Sequence, residues 1–143
     1  MKKKDLKQEI AVLKKESSQA LTEIERRRLS WIIHKASLAS ASVGAGLAQI
    51  PASDSAIIVP IQLNMLRRLG QEFGLSLTDQ SAEAIISTAI SSFLGRGLSQ
   101  FLLGSIPLAG NIINASTAGL ITELMGWTIV KLFILEDKKT PPK

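Results

Sequence analysis

Apolar residues recur along this chain at helical spacing. Leu6, Ile10, Leu13, Ser17, Ala20 and Ile24 step alternately by four and three, a coiled-coil seam weakened at Ser17 and Ala20. This predicts a charged helix over residues 1–30. Such a helix packs on its own domain, pairs with a second copy or lies on a membrane surface. Residues 36–49 form the next helix, where Ala36, Ser40, Gly44 and Ala48 repeat a small residue every fourth position. That spacing lets helix backbones approach closely. From Ser53 to Phe73 one stripe holds Ile57, Ile58, Ile61, Met65, Leu66 and Leu69, with Gln62 and Asn64 near its edges. Pro60 inside this helix removes one backbone hydrogen bond. Two more helices follow, from Asp79 to about Leu103 and from Leu108 to about Leu135.

The breaks between these helices carry their own signals. Pro51 keeps Ile50 out of helical geometry. Ser53 or Asp54 can then cap the next helix through a side-chain oxygen. Gly74 suits the left-handed end of that helix, and Thr78 can cap its successor. Ile106-Pro107 repeats the Ile50-Pro51 break 56 residues later. The expected architecture is all-α. A basic amphipathic or coiled-coil N-terminal helix precedes two helical hairpins turned at Pro51 and Pro107. Residues 1–35 form the N-terminal unit, 36–135 the hairpin domain and 136–143 a polar, disordered tail.

Charge alters this picture. The net charge of +5 lies entirely in residues 1–35, which hold ten Lys or Arg and five Asp or Glu. Arg26, Arg27 and Arg28 lie just before Trp31-Ile32-Ile33, separated by Leu29 and Ser30, and an aromatic near basic residues suits a bilayer interface. These arginines and Trp31 are the candidate lipid contacts, and an anionic membrane is the expected partner. Nucleic acid is not expected, because no interleaved aromatics or recognition-helix pattern accompanies the charge. No secretory signal opens the chain, so the cytoplasmic face of a membrane, or the cytoplasm, is the expected location.

Residues 82–104 and 108–135 are each long enough to cross a bilayer. Arg96 and Glu123 oppose this, at about 2.5–3.5 kcal/mol each near mid-bilayer. They are candidate buried polar residues, about 10 Å apart in depth on a hairpin turned at Pro107. Hairpins that insert partly, a compact bundle that docks and a fully soluble bundle all fit, and an inserting chain could also form a pore or remodel the membrane. The chain has no Cys, which excludes disulfides and thiolate metal sites. No phosphate-binding loop, HExxH or Gly-x-Ser-x-Gly is present, and His34 has no second ligand type at helical spacing. No catalytic residue, metal or cofactor is expected.

Ile50-Pro51-x-x-Asp54, Pro60-x-Gln62-x-x-Met65, Gly74 and Ile106-Pro107-x-x-Gly110 together resemble domain-of-unknown-function family 697 over about residues 36–135. That domain is similar to the helical part following the GTPase domain of some bacterial Era-like GTPases. The resemblance implies a helical, membrane-linked module and supplies no catalytic residues. This chain lacks a GTPase domain, so a nucleotide-dependent role implies a separate GTPase partner. Small-residue faces and the N-terminal seam further suggest a homo-oligomer.

Overall fold

The computed structural model describes residues 3–46, 53–95 and 115–139. Among them are five α-helices and no strand: α1 (Lys3–Ser18), α2 (Glu23–Gly46), α3 (Ser53–Glu72), α4 (Asp79–Gly95) and α5 (Ala115–Lys139). The protein is all-α. The turns holding Ile50, Pro51, Ile106, Pro107 and Gly110 lie outside the described residues, as does Arg96.

α5 is the hub. It packs against each of the other four helices, most extensively against α2. Leu124, Met125, Trp127, Ile129, Val130 and Phe133 of α5 are all buried. α2 runs antiparallel to α5, because Ile33 meets Gly126 while Ser37 and Ala41 meet Gly119. α3 runs parallel to α5: Gln62 reaches Thr122, and Phe73 tilts against Phe133 at 5.4 Å. α2 and α3 are therefore antiparallel, and Arg28 Nε lies 3.3 Å from Glu72 at their shared end. A hairpin turned near Pro51 requires this pairing.

Close approach of α2 and α5 depends on two glycines. A Cβ on Gly126 would lie 2.7 Å from Ile33 Cγ1, and one on Gly119 would lie 3.1 Å from the Ser37 carbonyl oxygen. The Ser37 hydroxyl donates to the Gly119 carbonyl at 2.8 Å. Nearby, Gln62 Nε2 donates to Thr122 Oγ1 at 3.4 Å, and Thr122 donates to Ser40 Oγ at 2.9 Å. This buried chain joins α2, α3 and α5 and satisfies hydroxyls that would otherwise be costly to bury.

The N-terminal seam packs on its own chain. Leu6, Ile10, Leu13 and Ser17 are buried, and α1 lies against α5. Lys14 Nζ stands 5.4 Å from the centre of the Trp127 ring and 4.0 Å from Glu123. Lys131 donates to Glu16 one turn further on. Residues 1–35 are thus not one helix. α1 stops at Ser18 and α2 starts at Glu23, so the seam's last two members leave it: Ala20 and Ile24 are exposed.

The restart is a capping box. The Glu25 amide donates to Thr22 Oγ1 at 3.3 Å, and the Thr22 amide donates to the Glu25 carboxylate at 2.8 Å. These bonds from Thr22 hold the Glu25 carboxyl below its ordinary value of 4.5. The Glu23 carboxyl is likewise held down, chiefly by hydrogen bonds from Arg26 and then Arg27. A depressed carboxyl stabilises the fold above its unfolded value, and that contribution disappears as pH falls through the folded value. Acidification from about pH 6 to about pH 3 is therefore expected to lower the melting temperature. Glu25→Gln, which cannot titrate, should show a smaller fall when melting is followed by circular dichroism.

At the other end of α3, Gly74 has φ 71°. The Leu75 amide donates to the Gly70 carbonyl at 2.8 Å, and the Gly74 amide to Gln71 at 3.0 Å. This is a Schellman closure, the left-handed end expected of Gly74. Thr78 caps α4, accepting from the Ser81 amide at 3.2 Å. α5 continues to Lys139, so Glu136, Asp137, Lys138 and Lys139 are helical and not a disordered tail.

Candidate functional site

α2 buries one face and leaves the other to solvent. Leu29, Ile33, Ala36 and Ser40 point to the core. On the opposite face, Ile24, Trp31 and Leu38 are 69%, 64% and 55% exposed. They follow one another at seven-residue spacing, which sets them in one line along the helix. Arg27, Arg28, His34 and Lys35 flank the line and are exposed. Lys35 Nζ stands 5.8 Å from the centre of the Trp31 ring.

The three arginines are not equivalent. Arg26 and Arg27 share Glu23, at 2.7 and 3.0 Å, and Arg28 holds Glu72. Arg26 sits toward the core side, half-buried, whereas Arg27 is 77% exposed. The site is therefore Arg27, Arg28 and Trp31 from the sequence pattern, with Arg26 as a shared-carboxylate neighbour. Ile24, Leu38 and Lys35 join them. The periodicity assigned Ile24 to the α1 seam, and Thr22-x-x-Glu25 is the signal that detaches it.

The remaining sequence candidates sit elsewhere and do other work. Met65 is buried, Gln62 belongs to the buried polar chain, and Gly74 closes α3. Pro60 lies on the exposed side of α3. The backbone of Asp54 falls inside the first turn of α3, after Ser53, and its side chain lies outside the described residues. Glu123 is partly buried and faces Lys14, so its partner is a cation of α1.

Among the described residues no three His, Asp or Glu side chains gather closely enough to hold a metal ion. A cavity of about 290 Å³ at the foot of α3 is lined by Glu25, Glu72, Asp137 and Lys138 together with Ala20, Leu21, Phe73 and Ile134. No nucleophile stands beside a base there.

Among the described residues, one helix, Ala118–Lys139, is long and apolar enough to cross a membrane, with mean hydropathy 1.6. Yet 67% of its most apolar 18-residue window is buried by the protein's own helices. The same apolarity that suits lipid here serves the core.

Comparison of the chain with protein families, with curated proteins and with solved structures finds no match.

Proposed function

We propose that this protein is a non-enzymatic, membrane-associated helical module that docks on an anionic bilayer through the outer face of α2. The observation that carries this reading is the exposed line Ile24, Trp31 and Leu38 with Arg27, Arg28 and Lys35 beside it. Apolar side chains in a row, flanked by cations, suit a helix lying in the plane of the headgroups. Each nearby cation adds about 1 kcal/mol on an anionic surface, reduced by salt. The burial of α5 favours docking over spanning, since crossing would strip that helix of its four neighbours. The resemblance noted above extends the proposal to a separate GTPase as regulatory partner. Self-assembly on the membrane is a further part of the proposal, though not through Ala36, Ser40 and Gly119, which pack inside the bundle.

Vesicle flotation tests the docking. The protein should float with phosphatidylcholine–phosphatidylglycerol vesicles at low salt, less at high salt, and little with phosphatidylcholine alone. Trp31→Ala should weaken binding roughly tenfold, a loss of about 1.4 kcal/mol. Its melting temperature should stay unchanged, because Trp31 is mostly exposed. Absence of flotation at low salt would reject the reading.

A further inference from the structure

The docking line on α2 continues backward in α1. Seven-residue steps back from Ile24 reach Ser17 and Ile10, and Leu6 and Leu13 keep the same register. At about 100° per residue, a continuous helix would hold Leu6, Ile10, Leu13, Ile24, Trp31 and Leu38 within an arc of about 80°. In the structure the turn at residues 19–22 splits that line. Its α1 half is buried on α5, and its α2 half is exposed. The sequence thus keeps one register across a break that makes the register irrelevant to the folded bundle.

The basic residues follow suit. In the straight helix Lys7 and Lys14 would fall along the same side of the line as Arg28 and Lys35. α1 packs on α5 through a narrow seam and two surface ion pairs, Lys14 with Glu123 and Glu16 with Lys131. The Ser17 hydroxyl is buried in that seam without a hydrogen-bond partner. An anionic surface competes with Glu123 for Lys14, and an opened α1 frees the Ser17 hydroxyl to meet water.

We propose that on an anionic bilayer α1 leaves α5 and joins α2 in one long amphipathic helix, hinged at residues 19–22, which lays both halves of the line on the lipid. This rests on the docking reading above and specifies its conformation. Lifting α1 also uncovers Trp127 on α5.

The chain has no cysteine, so two can be placed at will. Nitroxide labels on Gln8→Cys and His34→Cys, both exposed positions, report the opening by pulsed electron paramagnetic resonance. In a continuous helix these sites lie about 40 Å apart, at 1.5 Å per residue. Without vesicles, one shorter distance is expected, because α1 and α2 run in opposite directions along α5. On phosphatidylcholine–phosphatidylglycerol vesicles, a narrow population near 40 Å should replace it. Vesicle-bound protein with the distance unchanged overturns the opening and leaves docking intact. A broad distribution, from an α1 that detaches without joining α2, also overturns it. Labelled protein that fails to float at all overturns docking and opening together. As a second measurement, Glu16→Cys and Lys131→Cys bridged by a short bismaleimide should pin α1 and cut flotation at least tenfold relative to the unbridged variant. Equal flotation of the two would overturn the proposal.

Discussion

Trp127→Ala is expected to lower the free energy of unfolding by about 3–5 kcal/mol, the usual cost of emptying a fully buried tryptophan site. The side chain is 0% exposed, in the most buried helix of the bundle. On one side it lies under α1, with the Lys14 ammonium over its ring. Removing the indole empties a volume that several helices enclose, and none can close it without shifting the others. Total stabilities of small domains are about 5–15 kcal/mol, so this one change removes a large share. Urea denaturation followed by circular dichroism measures it. Trp31 remains in the variant as an exposed fluorescent reporter. Trp127→Phe should lose much less, because most of the packed volume is kept. A midpoint for Trp127→Ala equal to that of the parent would place the ring in solvent and α1 off α5.

Gly126→Leu should cost about 3 kcal/mol by the opposite mechanism, overfilling. A Cβ there would already stand 2.7, 2.9 and 3.1 Å from three carbons of Ile33. Ile33 is 1% exposed and branched at Cβ, so it has little rotamer freedom with which to yield. Leucine in place of glycine gains about 1 kcal/mol of helix propensity, but the wedge between α2 and α5 outweighs it. Ile33→Ala in the same chain should restore part of the loss, and that non-additivity is the signature of direct contact. Thermal melting resolves it: a 3 kcal/mol loss lowers the midpoint by roughly 10 °C in a domain of this size. If the single variant is as stable as the parent, the two helices are further apart than described.

The ends of α3 and α4 were legible because their chemistry is local. Gly74 adopts the left-handed conformation its position suggested, and the Thr78 hydroxyl caps α4. The buried α1 residues were legible too, since Leu6, Ile10, Leu13 and Ser17 repeat at helical spacing. The turn after Ser18 was hidden by that same repeat, which continues through Ala20 and Ile24. A two-residue signal, Thr22 with Glu25, decides against a periodicity spread over six positions, because a capping box closes free amides that a pattern cannot see. The centre of the molecule was harder. The proline-flanked stretch from Ile50 to Gly74 has the strongest punctuation, whereas α5 has the most partners, and partners are not written in a single segment. Composition alone cannot separate a helix surrounded by lipid from one surrounded by protein. Arg27, Arg28 and Trp31 were legible as a candidate site. Lys35 and Leu38 joined them only when the exposed side of α2 was known.

The hydroxyl–amide chain from Gln62 through Thr122 to Ser40 has a consequence for alignment. Faces made of Ala, Ser and Gly look much the same after every turn, and the Ile33–Gly126 contact is one stop against sliding, because a one-turn slip of α5 would bring Thr122 or Val130 against Ile33. Such a slip would part Thr122 from both neighbours at once and strand the buried Thr122 and Ser40 hydroxyls in a dry interior. The chain acts as a vernier mark beside that steric stop, and both read the helices at the same height.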